Sequence, residues 1–293
     1  MPCCFVDSEY KPLKAVLLCK PHPKIGNVAN PKEVHHLSKI NYAVIEKEYE
    51  QIIRIYRKFK IKIFLINLPK IEGTDNRYRF NIIFTRDHFL MTPHGAIISR
   101  MFSDIRQSEI KYAQKALKIA GVPIRMVIRD NGTFEGADAL WINDRLVIVG
   151  VGNRTNAEGF RQIKEELKQD GINCIRVPVP RDTLHLLGVL QLIDSDTALV
   201  RTDLIGSRVI GILKENRIKM ITIPESTEVR EKQAMNFVII ANKAIIMATG
   251  CPQTKKIYEQ AGIKIAAEIS ISQFISAGGG LACVTGILAR SWE

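Results

Sequence analysis

The sequence predicts an α/β protein folded as a single five-bladed, pseudosymmetric α/β propeller of ββαβ units. Three observations carry this. Helical patterns give way to β-rich runs at five places along the chain. Turn-forming pairs flanked by apolar runs recur between those junctions, about every 50 residues. A helical pattern follows each of the resulting hairpins. A repeat of this length means a solenoid, a propeller or another closed array.

The chain opens on a short strand, Leu13–Leu18. The five helix-to-strand junctions are KFKIKIFLI (58–66), AGVPIRMVI (120–128), DGINCIRVP (170–178), ENRIKMITIP (215–224) and AGIKIAAEI (261–269). Gly121, Gly171 and Gly262 stand where a helix C-terminus takes a left-handed residue. Phe59-Lys60 and Asn216-Arg217 fill that slot in the other two copies. The hairpin turns are placed at His94-Gly95, Asn143-Asp144, Asp194-Ser195 and Asn242-Lys243. The clearest helix start is Thr155-Asn156-Ala157-Glu158, which has the form of a capping box. Ile163 and Leu167 then mark an apolar face at i, i+4 spacing. Leu13–Leu18 and the strands after Gly280 are expected to share one unit, closing the ring and removing open sheet edges. One domain over residues 1–293 follows. A doubly wound sheet is the alternative, but it needs single strands alternating with helices, and the repeated hairpins oppose it.

The 293 residues are 46% hydrophobic, enough for a sizeable core. No apolar run is long enough to span a bilayer, so no membrane partner is expected. Asp7, Glu9 and Lys11 fall where a signal peptide needs an apolar stretch, and a soluble cytoplasmic protein is the expectation. The six cysteines (Cys3, Cys4, Cys19, Cys174, Cys251 and Cys283) form no CxxC pair and no zinc spacing. Most are read as small buried hydrophobes. The formal net charge is +12. Its lysines are dispersed, as at Lys111, Lys115, Lys118, Lys164 and Lys168, with no aromatic interleaving. Nucleic acid is therefore not expected as a partner. A homodimer is left open.

A ring of repeats points equivalent positions at its axis, so reactive residues should recur at the repeat spacing. Asp87 (FTRDHFLM), Asp138 (FEGADALWI) and His185 (LHLLGVLQL) are 51 and 47 residues apart, and Cys283 (GGGLACVTG) follows His185 by 98, two periods. Gly278-Gly279-Gly280 weakens any strand it enters and suits backbone that bends tightly or lies close to a ligand.

The motifs FTRD, EGAD, GNRTNAEG, LHLL and GGGLAC, in this order, resemble the guanidino-group-modifying superfamily over roughly Leu13–Arg290. That superfamily contains arginine deiminases, dimethylarginine dimethylaminohydrolases, agmatine deiminases and amidinotransferases. The resemblance implies a five-bladed propeller, a small guanidino substrate, a covalent amidino–cysteine intermediate, and no metal or organic cofactor. It implies Cys283 as nucleophile, His185 as general acid/base and Glu135 as the carboxylate that orients it. Asp87 is expected to grip the guanidinium, Asp138 to join the substrate-binding residues, and Arg154 and Arg106 to hold the substrate's α-carboxylate. Fixed carboxylates localise the charge of a guanidinium and align its carbon for attack.

Deiminases of this group typically carry His-x-Asp, whereas here the sequence reads His185-Leu186-Leu187. An apolar Leu187 leaves terminal N–H groups unpaired and suits a substituted nitrogen, so the expected reaction releases methylamine or dimethylamine and citrulline from methylated arginine. FTRDHF resembles the deiminase form, which keeps free arginine as the alternative. Amidino transfer to an amine on the same scaffold and a non-enzymatic ribosome-binding propeller are the two further readings.

Overall fold

The structure, a computed structural model, describes residues 5–68 and 77–291. Its strands are β1 (Leu13–Cys19), β2 (Lys62–Ile66), β3 (Phe89–Thr92), β4 (Gly95–Ile98), β5 (Ile124–Val127), β6 (Ala139–Asn143), β7 (Leu146–Val151), β8 (Asn173–Pro178), β9 (Leu190–Leu192), β10 (Thr197–Val200), β11 (Lys219–Thr222), β12 (Val238–Ala241), β13 (Ala244–Ala248), β14 (Lys264–Ile269) and β15 (Gly286–Arg290). The helices are α1 (Tyr42–Lys58), α2 (Asp104–Gln107), α3 (Ile110–Ile119), α4 (Ala157–Lys168), α5 (Ser207–Glu215), α6 (Thr227–Arg230), α7 (Pro252–Gln260) and α8 (Ser272–Ser276).

The strands form five three-stranded sheets: β3-β4-β5, β6-β7-β8, β9-β10-β11, β12-β13-β14 and β15-β1-β2. In each, the first two strands are antiparallel and the third runs parallel to the second after a helical crossover. The ends of the chain share one blade, as the sequence predicts. Leu17 of β1 pairs with Gly286 of β15, while Ala15 pairs with Lys62 of β2.

Burial within a blade follows residue type. The middle strands are apolar runs such as VLL (16–18), VIV (147–149) and ALV (198–200), and they are almost fully buried. Runs without alternation suit strands covered on both faces. The third strands KIFLI, IRMV and KMIT carry charges and are only partly covered. First strands therefore face the shared centre and third strands the rim. Helix α1 closes its blade with Ile45, Tyr49, Ile52 and Tyr56, one apolar stripe at helical spacing.

The left-handed slots fall where expected, with φ of 76° at Gly121, 68° at Gly171, 76° at Gly262, 57° at Lys60 and 58° at Arg217. Two local expectations need correction. The first hairpin turns at Pro93-His94 and the second at Asp144-Arg145, one residue from the expected pairs, because Thr92 still pairs with Gly95 and Asn143 with Leu146. The capping box before α4 does not form. Asn156 is the N-cap and accepts from Gly159 N at 2.8 Å. The Thr155 hydroxyl is instead drawn inward to Asp138, and Glu158 turns to Arg161.

Cys19, Cys174 and Cys251 are buried and free; Cys3 and Cys4 lie outside the described residues. Burial pushes the Cys174 thiol up to about 12 and Cys251 to about 11, as for inert packing cysteines. Among the described residues no helix is long and apolar enough to cross a membrane.

Candidate active site

The turns leading into the five first strands converge. Asp87 lies in the 3-10 turn Thr85–His88 before β3, Asp138 in Gly136–Asp138 before β6, and His185 caps Leu186–Gly188 before β9. Cys283 lies in the turn before β15. The fourth blade contributes a residue the sequence reading passed over. Asn236 precedes β12, 51 residues after His185 and 47 before Cys283, so the step of 98 is two ordinary steps. The signal was present in the spacing, but an amide does not advertise itself as a reactive group.

These turns surround a cavity of about 620 Å³ lined by Asp87, Arg106, Arg154, His185, Leu187 and Cys283, among others. His185 Nε2 lies 2.8 Å from Glu135 Oε2, and the Glu135 side chain is wholly buried. Burial alone would raise Glu135, but the His185 hydrogen bond and charge, with Arg106 and Arg154, hold it down at about 2. Burial likewise disfavours a charged His185. The negative field of Asp87, Asp138 and Glu135 outweighs it and lifts the imidazole to about 9, so it is protonated at neutral pH.

Asp87 is 3% exposed. Its Oδ2 accepts from Arg106 Nη1 at 2.7 Å, while Oδ1 is buried with no hydrogen-bond partner. A buried carboxylate oxygen left unpaired costs about 1–3 kcal/mol, or more because it is charged. Asp87 Oδ1 is free to accept a hydrogen bond. The Cys283 thiol is raised from its ordinary value, first by burial and then by Asp87, with Gly280 N–H, Asn236 and Arg106 opposing.

Arg106 and Asp138 do not take the roles expected from sequence. Arg106 reaches Asp87 at 2.7 Å, Glu109 at 3.0 Å, Glu135 at 3.8 Å and the Asn81 carbonyl at 3.2 Å. These carboxylates outweigh burial and raise the guanidinium further above its ordinary value. Most of its donors are committed, so it is a cationic hub for three anions, with less of its fork left than Arg154 has. Asp138 is fully buried and does not line the cavity. Its Oδ2 accepts from Thr155 at 2.6 Å and its Oδ1 from Leu186 N at 3.1 Å. Burial first of all lifts it to about 7. It anchors the turn that carries His185 and has no oxygen left for a substrate.

Arg154 lines the cavity, with Nη1 3.8 Å from Glu135 and its guanidinium 6.0 Å over the Phe102 ring. That leaves most of its fork available. Leu187, Leu204 and Val229 are among the apolar residues that line the cavity, whose lining also includes the charged Asp182, Arg201, Glu225 and Arg230. The triple glycine has a packing cause. Gly278 has φ of 99°, and a Cβ on Gly279 or Gly280 would lie 2.4 Å from the Phe84 ring or 2.5 Å from Asn236 Cγ. Asp87, Glu135 and His185 bring three ligand atoms within 4.8 Å of one another. Asp87 Oδ2 is taken by Arg106, and His185 Nε2 and Glu135 Oε2 are taken by each other.

The arginine deiminase family model matches residues 79–211. A dimethylarginine dimethylaminohydrolase of Pseudomonas aeruginosa is 26% identical over 85% of this chain and 91% of its own length. The solved structure of the Pseudomonas aeruginosa enzyme with citrulline has a TM-score of 0.74 at 23% identity, covering 94% of this chain and 99% of its own. An amidinotransferase of the saxitoxin pathway from Microseira wollei superposes with a TM-score of 0.80 at 16% identity, covering 99% and 98%. The fold is thus the propeller of amidino-group enzymes. In sequence, the chain is similar to arginine deiminases over part of its length and to a dimethylarginine dimethylaminohydrolase over most of it.

Proposed function

We propose that this protein hydrolyses the guanidinium group of an arginine-like amino acid through a covalent amidino–cysteine intermediate, with methylated arginine as the preferred substrate. Its relatives named as amidinohydrolases support the coarser reading, hydrolysis of an arginine-like substrate. The observation that carries the finer one is the unpaired Oδ1 of Asp87, a residue that lines the same cavity as Cys283 and as His185, which is paired with the buried Glu135.

The guanidinium would donate to Asp87 Oδ1, and its positive charge beside Cys283 would favour the thiolate that burial disfavours. The thiolate sulfur attacks the guanidinium carbon, forming a C–S bond. His185, held protonated by Glu135, gives its proton to the substituted nitrogen as the C–N bond breaks and the amine leaves. The neutral imidazole then takes a proton from water, whose oxygen attacks the same carbon. Collapse breaks the C–S bond, releases citrulline and returns the thiolate.

Leu187, Leu204 and Val229 suit a methyl-bearing nitrogen. Unpaired N–H groups against such side chains cost about 1–3 kcal/mol. A buried methyl gains about 0.8 kcal/mol. Together these favour methylated over free arginine by about 30- to 1000-fold in kcat/KM. Assaying arginine, methylarginines and agmatine for citrulline and released amine tests both function and preference. Leu187→Asp should narrow or invert the ratio. Faster hydrolysis of free arginine than of any methylarginine by the wild type would overturn the substrate reading.

Arg154 is assigned the substrate's α-carboxylate. Arg154→Lys loses the bidentate fork and should raise KM about 10- to 100-fold with a smaller fall in kcat, the pattern of a contact equally strong in ground and transition states. Agmatine, which lacks the carboxylate, should be a poor substrate. Agmatine turned over as well as the amino acids would remove Arg154 from this role.

A further inference from the structure

We infer that Asn236 is a further catalytic residue, which holds the Cys283 sulfur as a directed anion by donating its carboxamide N–H to it. This rests on the reading of Cys283 as nucleophile.

Asn236 Nδ2 lies 3.1 Å from Cys283 Sγ. Its Oδ1 accepts from Ala282 N at 2.8 Å and from Cys283 N at 3.2 Å. Those two backbone groups can only donate, so they fix the orientation of the amide. The oxygen must face the backbone and the NH₂ must face the sulfur. An amide N–H has no lone pair to offer a thiol proton, so the sulfur is the acceptor. A hydrogen bond to the charged form stabilises that form, here the thiolate. The backbone is shaped around this contact. Asn236 O accepts Ala282 N at 3.3 Å, and Gly280 leaves the space that the Asn236 side chain fills.

Other groups act on the same sulfur from neighbouring blades. Asp87 opposes its ionisation, while Arg106 and the Gly280 N–H favour it. Asn236 differs from the charged pair in pointing a single donor at the atom that reacts. It also sits at the repeat position occupied by Asp87, His185 and Cys283 in other blades. The fourth blade therefore contributes to the chemistry, not only to the scaffold.

The test separates placement from ionisation. Asn236→Asp keeps an oxygen for both backbone N–H groups but turns the donor into an anionic oxygen facing sulfur. Asn236→Ala removes both contacts. Iodoacetamide labelling of Cys283, followed by peptide mass spectrometry in the full chain across about pH 6 to 10, reads the thiolate fraction without needing substrate. Labelling near pH 8 should slow about 10- to 100-fold in Asn236→Asp and about 3- to 10-fold in Asn236→Ala, each profile moving to higher pH. Thermal melting identifies which variants are folded. A folded variant with the wild-type pH profile overturns the inference. Turnover by Cys283→Ser is scored alongside. If that variant is inactive while the Asn236 profiles do not move, only the role of Asn236 falls. If it stays active, the nucleophile reading itself falls.

Discussion

Replacing Cys283 by serine should lower kcat by about 10⁴-fold or more, because a serine hydroxyl ionises far less readily than a thiol and is the weaker nucleophile. The loss should be chemical and not structural. The Cys283 backbone is held independently of its side chain, by Asn236 Oδ1 on its N–H and by Arg86 N on its carbonyl at 3.0 Å. Serine is smaller than cysteine and its oxygen can accept from Asn236 Nδ2, so the melting temperature should change little. Substrate should still bind through Asp87 and Arg154, leaving its dissociation constant near that of the wild type. Quenched wild-type turnover should carry an amidino adduct on the peptide containing Cys283, and the serine variant should carry none. Near-normal turnover by Cys283→Ser, or an adduct on another residue, would end the assignment.

The fold was legible because two independent signals share one period. Helix ends are marked by residues that tolerate the left-handed region, and hairpins by turn pairs. Even Lys60 and Arg217, which have no glycine's freedom, occupy the slot that the repeat assigns them. The site was legible by blade but not by side-chain direction. Asp138 shares the repeat spacing of Asp87 and His185, yet its carboxylate is taken by the Thr155 hydroxyl and the Leu186 N–H, and only three-dimensional packing reveals it. Arg106 misled for a related reason. Its sequence context shows a charge but not the anions gathered around it, although Glu109 one helical turn ahead was a visible clue. Asn236 was hidden by residue type, since a search for nucleophiles, acids and bases skips an amide.

The charge balance around Arg106 bears on how the site withstands its own desolvation. Asp87, Glu109 and Glu135 would repel one another in a dry cavity, and Arg106 touches all three. Glu109 also bonds His88 Nε2 at 2.9 Å, extending the buried polar chain away from the cavity. Removing one member of such a network strands the others, which costs more than the pair itself contributes. Arg106 thus holds the three carboxylates together.

Glu135→Gln should lower kcat/KM by about 10³- to 10⁴-fold near neutral pH, because the wild-type imidazole depends on that anion for both orientation and protonation. In the wild type His185 is lifted to about 9. It remains an acid through neutrality, so kcat, which reports the enzyme–substrate complex, should fall as pH passes about 9. Glutamine can still accept a hydrogen bond, but the charge is gone. Asp87 and Asp138, the larger influences, still raise His185, so it should drop part of the way toward its ordinary 6.5 and bring the alkaline limb down with it. Stability should follow the same pair. The raised His185 contributes stability fully below its unfolded value of 6.5, lost as pH rises through about 9. The depressed Glu135 contributes stability above its unfolded 4.5, lost as pH falls through about 2. The pair thus acts in full between about pH 4.5 and 6.5, and urea unfolding of wild type and variant should differ most there. Glu135→Asp retains the charge at a longer reach and should recover part of the alkaline limb without full activity. An alkaline limb that stays near pH 9 in Glu135→Gln would mean that Asp87 and Asp138 suffice to hold the proton on His185, and that Glu135 serves packing alone.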